Sequence, residues 1–486
     1  MFFKQYYLSC LAHASYMIAD EATHQAAVVD PQRDIDQYLE DAKAHGFEIR
    51  YVILTHFHAD FLAGHLDLRN RVGAKIVLGA RAKADFEFRA VTDGDTIELG
   101  MVRLQFMETP GHTPEGISIL VFDPEHSATT PKALLSGDTL FIGDVGRPDL
   151  LASVGVTADE LADMLYASVG RLRELPDEVL LYPAHGAGSM CGKNLSKDTV
   201  STLGQQKQSN YALQPMSLEQ FKAMVTHEQP EAPRYFVYDA IKNRTEHDDL
   251  AHTLATELQP RTLDEVLALR DGGAKVLDVR AAADFAAQHL TGSINIGLEG
   301  SYATWCGTIL SPEDDIVLVA APGVEREAAM RLGRIGYDRV RGYLEGGATA
   351  LAARPDQVST LRRITATELH ERLTAQDAPL VLDVRTQAEV DRGRIEGSVH
   401  IPMPHLAERI AEVAQRGPIV VHCQGGYRSP IAACLLRRAG VDDVTDLVGG
   451  YNAWAAAQGS PEGSAAGAQG GACATPAAGS CALPKA

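Results

Sequence analysis

The chain has 486 residues, 45 % of them hydrophobic, and carries 64 acidic against 44 basic side chains, a formal net charge of −20. At roughly 150 residues per domain this length predicts about three domains with sizeable cores, and so acidic a chain offers no strongly basic face, which argues against nucleic-acid binding. Seven scattered cysteines form no paired framework, which predicts a reducing compartment, the cytoplasm, rather than a secreted disulfide scaffold. The first residues, Met1-Phe2-Phe3-Lys4-Gln5-Tyr6-Tyr7, continue as alternating polar and apolar positions broken by His13 and Asp20. Without a sustained apolar core, neither a signal peptide nor a membrane span is expected.

Short apolar runs at 26–29, 51–54 and 75–78 read as buried strands. The second ends in Thr55-His56-Phe57-His58-Ala59-Asp60-Phe61. Alternate residues of an extended segment share a side, so His56, His58 and Asp60 project together. Further candidates follow, each in a glycine-bearing loop: His112 after Gly111, Asp138 after Gly137, and His185 before Gly186, the last beyond a strand expected at 179–181. Imidazoles and carboxylates ligate first-row transition metals, and four strand-end loops meeting at one end of a layered sheet would form a metal centre. Residues 211–258 are mixed and charged but include Tyr235, Phe236 and Tyr238. That is too aromatic for a flexible linker and predicts an extension packed on the preceding domain.

The remainder is a repeat. Val276-Leu277-Asp278-Val279-Arg280 recurs as Val381-Leu382-Asp383-Val384-Arg385, Gly292-Ser293 as Gly397-Ser398, and Gly346-Gly347 as Gly449-Gly450. Two copies of one α/β module are therefore expected, at 259–355 and 360–458. In the second, the apolar strand Ile419 to His422 runs into Cys423-Gln424-Gly425-Gly426-Tyr427-Arg428-Ser429 and then an Ala-rich helical run. A loop so short lets backbone amides curl round the sulfur while the next helix points its positive end at it, an arrangement that favours thiolate. Gly425 and Gly426 supply the backbone freedom, and Arg428 a cation. Such a cysteine is a nucleophile or a carrier of transferred sulfur. In the first copy Ala320 and Glu325 fall where Cys423 and Arg428 stand, so that copy is expected to be structural or a docking surface. The Gly/Ala/Ser tail, 459–486, should be disordered, with Cys473 and Cys481 incidental. Cys10, Cys306 and Cys434 read as packing residues.

Both modules resemble rhodanese domains through the Leu-Asp-Val-Arg strand ends, Glu389, Gly393 to Ser398, Ile401-Pro402, the Cys423 to Arg428 loop and Gly449 to Trp454. The resemblance implies that Cys423 accepts sulfane sulfur as a persulfide and passes it on, with Arg428, Gly425 and Gly426 binding the anionic sulfur species. The first half resembles the αββα metallo-β-lactamase fold, so the fold class is α/β multidomain, that fold followed by two rhodanese-like domains. The domains are 1–258, including the 211–258 extension, then an inactive 259–355 and an active 360–458. Members such as glyoxalase II hold two metals, with a histidine directly after the motif aspartate serving the second. Here that position is Phe61, which cannot ligate, so one metal is expected.

The persulfide dioxygenase branch of that fold holds one ferrous iron on two histidines and an aspartate. The resemblance carries this set onto His56, His112 and Asp138, with His58, Asp60 and His185 as second-shell or alternative ligands. Arg147, in the run Ser136 to Leu150, is then a substrate contact or an ordinary ion-pair arginine. Cys191, with Lys193 expected to lower its thiol pKa, either holds persulfide sulfur or is an ordinary loop cysteine. Fusions of a dioxygenase-like domain, a degenerate rhodanese and an active rhodanese occur in bacterial sulfide detoxification, and this chain resembles them over nearly its whole length. The resemblance implies iron(II), one per chain, and oxidation of a low-molecular-weight persulfide such as that of glutathione or coenzyme A by dioxygen. Sulfite or thiosulfate is the product, with no membrane partner, and a homo-oligomer fits the fold family. The alternative is a zinc-dependent, glyoxalase II-like thioesterase fused to a sulfurtransferase.

Overall fold

The computed structural model describes residues 1–150, 155–227, 229 and 231–458; the expected disordered tail, with Cys473 and Cys481, lies outside them. The described residues divide into two compact units, one built on Met1–Thr253 with Gly333–Gly336 and the other on Leu254–Leu332 together with 337–458. Among the described residues no helix is long and apolar enough to cross a membrane.

In the first unit two six-stranded sheets face each other. One runs, in spatial order, Phe2–Leu8, His13–Asp20, Gln25–Val29, Glu48–Ile53, Lys75–Gly79 and Arg89–Val91; the other Ser201–Thr202, Leu180–Pro183, Ala133–Gly137, Ile117–Phe122, Val102–Glu108 and Thr96–Leu99. The strand Ile117–Phe122 is buried at every position, and all but Ser118 are apolar. Ile119 and Val121 face the inter-sheet core with Ile18, Val29, Ile53 and Val77, while Leu120 and Phe122 face the helix layer outside. That layer centres on Ala158–Arg173, whose Leu165, Val169 and Leu172 recur at helical spacing on the buried side. A capping box between Thr157 and Glu160 starts the helix. Asp36–His45 and His65–Val72 follow strands of the first sheet, completing the αββα layering.

The extension is helical at Leu218–Thr226 and Tyr235–Lys242. Phe221 and Val225 enter the core of the outer helix layer, and Asn243, fully buried, reaches the turn described below.

The second unit contains two five-stranded parallel sheets of identical order: Pro260–Arg261, Val340–Leu344, Ile316–Val319, Lys275–Asp278, Ile294–Asn295, and then Arg362–Ile364, Val444–Leu447, Ile419–His422, Leu380–Asp383, Val399–His400. The registers coincide: Asp278 pairs with Val319 as Asp383 pairs with His422. Ala320 therefore occupies the strand-end position of Cys423. The glycine pairs show the same equivalence. Gly347 (φ +57°) and Gly450 (φ +58°) are left-handed, and a Cβ on either would lie 2.4 Å from Ala320 O and 2.2 Å from Cys423 O respectively, so only glycine fits there.

Candidate metal centre and sulfur-transfer loop

The strand Glu48–Ile53 delivers the His56 to Phe61 turn, Val102–Glu108 leads to His112, Ala133–Gly137 to Asp138, and Leu180–Pro183 to His185. All six metal-binding candidates are at least 95 % buried. They form two groups whose ligand atoms lie within 4.8 Å of one another: His56, His112 and Asp138, and beside them His58, Asp60 and His185. In the first group Asp138 Oδ2 stands 3.4 Å from His112 Nε2 and 3.8 Å from His56 Nε2. The left-handed Gly137 (φ +53°) permits this approach, since a Cβ there would strike the Thr55 side chain at 2.6 Å.

The far nitrogens of both imidazoles are committed. Thr55 Oγ1 donates to Asp30 Oδ2 at 2.9 Å, so it accepts from His56 Nδ1 at 2.9 Å. His112 Nδ1 donates to the Arg147 carbonyl at 2.9 Å. Each Nε2 is left as a lone-pair donor aimed at the group's centre, an outer-shell arrangement that fixes the tautomer. Burial, with His58 beside it, holds His56 well below the usual histidine range, and burial likewise lowers His112. Burial would raise Asp138, but His185 and His56 hold it well below the carboxylate range. Two neutral imidazoles and one ionised carboxylate converging in a buried site fit a single divalent cation with open positions.

In the second group His185 Nδ1 lies 2.8 Å from Asp138 Oδ1, and its Nε2 lies 2.9 Å from Asp60 Oδ2. Burial opposes its protonation, but these two carboxylates prevail and raise it well above the histidine range. His58 is fully buried with Nε2 3.1 Å from Asp30 Oδ1; neither ring nitrogen has hydrogen-bond geometry. Phe61, fully buried, packs its ring 4.3 Å from that of His58 and 4.1 Å from that of His13. It fills with hydrocarbon the space beside Asp60 and His185.

One expectation changes. Lys193 does not lower the Cys191 thiol: burial, then the Asp60 and Asp138 carboxylates, push it well above its ordinary value, while the Lys193 ammonium donates to the Met224 carbonyl. Cys191 nevertheless lies within ligand distance of Asp138 and His185. Arg147 is 2 % exposed and its guanidinium forks onto Asp149 at 2.7 and 2.6 Å, the ion-pair reading, while its carbonyl orients His112.

Other side chains support the turn. Asn243 donates to the carbonyls of His58 and Phe61, both at 2.8 Å, and accepts from the Ala63 amide. Tyr235 adds a bond to the Asp60 carbonyl. Glu115 accepts from the Phe57 amide, and Asp30 from that of Thr55. His13, 1 % exposed, has its Nε2 without a hydrogen-bond partner. Tyr235 belongs to the extension that the sequence places on this domain; the other contacts join residues far apart in the chain.

In the second unit Cys423 is 1 % exposed at the end of Ile419–His422. The Gly426 amide donates to its sulfur at 3.1 Å, and Gly426 is left-handed (φ +90°). Arg428 opens the helix Arg428–Arg438. Its guanidinium forks onto Glu389 at 2.8 and 2.6 Å; burial opposes its charge, but Glu389 and the Cys423 sulfur favour it. Gln424 accepts from Arg385 and donates to Asn452, pinning the loop's first residue. Arg385 in turn pairs with Asp383, both fully buried. Cys306 and Cys434 are buried and Cys10 half-buried.

Comparison with known proteins accords with this geometry. The family model described as the metallo-beta-lactamase superfamily matches residues 8–185, and that described as the rhodanese-like domain matches 262–354 and 365–457. The mitochondrial persulfide dioxygenase ETHE1 of Bos taurus is 30 % identical over 212 residues, 43 % of this chain and 73 % of that one. The chain belongs to the metallo-beta-lactamase superfamily. Two rhodanese-like domains follow its metallo-beta-lactamase domain. A hydroxyacylglutathione hydrolase of Bradyrhizobium sp. (strain ORS 278) is 31 % identical over 181 residues, 36 % of this chain; the match spans 64 % of the hydrolase's length. The crystal structure of a metallo-beta-lactamase from Staphylococcus aureus subsp. aureus COL superposes with a TM-score of 0.63 at 32 % identity, covering 70 % of this chain and 98 % of that one.

Proposed function

We propose that this protein oxidises low-molecular-weight persulfides with dioxygen at one iron(II), held by His56, His112 and Asp138, and transfers sulfane sulfur at Cys423, acting in the cytoplasm in sulfide detoxification. The observation that carries the reading is the pairing, in one chain, of a buried two-histidine, one-carboxylate group with a buried thiol that accepts from the Gly426 amide and has Arg428 beside it. Iron bound to such a group supplies oxygen activation and orients the persulfide. One persulfide, one dioxygen and one water give one thiol, one sulfite and two protons.

The remaining residues bind and orient. Thr55 and the Arg147 carbonyl fix the imidazoles, His185 fixes Asp138, and Phe61 keeps water and a second cation from the far side. At the second centre Cys423 attacks the outer sulfur of a persulfide, displaces the carrier thiolate, and as a persulfide delivers that sulfur to sulfite, giving thiosulfate. The reverse direction returns sulfur to a carrier thiol. Arg428 and the Gly426 amide hold the anionic groups.

A zinc hydrolase fused to a sulfurtransferase is the second reading. The hydroxyacylglutathione hydrolase relatives and the ligand spacing of His58, Asp60 and His185 favour it. Oxygen-electrode traces on anaerobically iron-loaded protein decide between them. Uptake on adding glutathione persulfide is expected; none with any small persulfide, together with hydrolysis of a glutathione thioester by zinc-loaded protein, would overturn the dioxygenase.

A further inference from the structure

The first rhodanese-like copy has neither sulfur nor cation at its loop, yet it touches the loop that has both. Tyr427 stands between Gly426, whose amide donates to the Cys423 sulfur, and Arg428. Its hydroxyl donates to the Gly297 carbonyl of the first copy at 2.7 Å. Its ring lies on glycine backbone: a Cβ on Gly300, which is left-handed (φ +105°), would stand 3.1 Å from Tyr427 Cε2, and one on Gly297 4.0 Å. A side chain at Gly300 would strain its left-handed backbone and crowd the ring, which would have to shift.

The seat is itself held. Arg331, 2 % exposed on the helix Glu325–Gly333 of the same copy, donates to the carbonyls of Leu298 at 2.7 Å and Gly300 at 3.2 Å. The Tyr302 ring packs 5.1 Å from that guanidinium. A buried arginine spending its donors on two loop carbonyls fixes the shape of a loop that performs no chemistry in its own module.

We propose that the inactive copy positions the active one: the 297–300 loop is a seat for Tyr427, and through it for the Gly426 amide and the Arg428 guanidinium around Cys423. A loop carrying consecutive glycines has much backbone freedom to lose, and anchoring the adjacent tyrosine removes that freedom before the sulfur donor arrives. Tyr427 is on this account a positioning residue. The inference rests on the reading of Cys423 as the transfer nucleophile.

The test uses the full chain carrying Tyr427→Phe, which deletes the hydroxyl, or Gly300→Ala, which alters only the inactive copy. Three quantities are read: thiosulfate-to-cyanide transfer, iodoacetamide alkylation of Cys423 followed by peptide mass spectrometry, and Tm. Each variant is expected to lose roughly fivefold in transfer kcat, the equivalent of one ordinary hydrogen bond, and to alkylate Cys423 more slowly. Wild-type transfer and alkylation in both variants, whatever their Tm, would overturn the proposal. Should Gly300→Ala fail to fold, Tyr427→Phe decides by itself. A wild-type chain without any transfer activity would sink the nucleophile reading, and the alkylation rates would still judge the seat.

Discussion

Replacing Glu389 by Gln separates charge from shape at the transfer loop. The carboxylate receives both arms of Arg428 and also the amide and hydroxyl of Thr386. Burial would raise its pKa, but Arg428 and Thr386 bring it from 4.5 down to about 2. In a dry site that displacement corresponds to about 3 kcal/mol. The Glu389 side chain keeps 22 % of its exposure, and water screening reduces the figure to about 1–2 kcal/mol. Because the folded-state pKa is depressed, this stability is present above about pH 4.5 and is lost as pH falls from there towards 2. Urea melts should therefore show Glu389→Gln less stable than wild type by about 1–2 kcal/mol at pH 7, with the gap narrowing below pH 4.5. Transfer should suffer more than stability. Gln offers one acceptor where the guanidinium fork needs two, so Arg428 loses its fixed aim, and kcat/KM for thiosulfate should drop about tenfold. Equal stability at pH 7 together with undiminished transfer would refute the account of the pair.

His112→Ala should leave the protein folded but reduce bound iron well below one per chain by plasma emission and abolish oxygen uptake, while leaving Cys423 transfer intact; retained stoichiometric iron would remove His112 from the ligand set. Phe61→His should let metal titration reach two equivalents, since it restores an imidazole beside Asp60 and His185; saturation at one would show that more than the phenyl ring excludes the second cation. Asp67, 1 % exposed, is raised from 3.8 to about 6, chiefly by burial, so it costs stability as pH rises between those values, about 3 kcal/mol at full extent. Asp67→Asn should be near neutral at pH 4 and stabilising by about 1–3 kcal/mol at pH 7.5; a pH-independent effect would refute this. Cys423→Ser should abolish thiosulfate-to-cyanide transfer and spare oxygen uptake; a full transfer rate would end its assignment as nucleophile.

Much of the site was legible because its chemistry is written locally. His56, His58 and Asp60 follow a strand that any apolar pattern reveals, and the glycines before His112 and Asp138 mark turns that need left-handed or crowded backbone. The repeat exposed Ala320 as the counterpart of Cys423, and the common register explains why sequence alignment sufficed. What stayed hidden involves distance in the chain or burial. Lys193 is close to Cys191 in sequence, but its long side chain reaches Met224 instead, and no pattern reveals that carboxylates face the thiol. His13, Asn243 and the Tyr427 contact with Gly297 each join segments far apart in sequence, and nothing in their local composition marks them.

The clasp of Asn243 on the turn also sets an order of events during synthesis. The turn bearing His56, His58 and Asp60 is translated early, yet the side chain that ties its His58 and Phe61 carbonyls lies 185 and 182 residues downstream. At about 5–20 residues per second, roughly ten to forty seconds separate the two. Until residue 243 leaves the ribosome, Asp30 and Glu115 can hold the Thr55 and Phe57 amides, but the His58 and Phe61 carbonyls lack their Asn243 partner. The turn therefore gains its last ties only once about half of the 486-residue chain has been made.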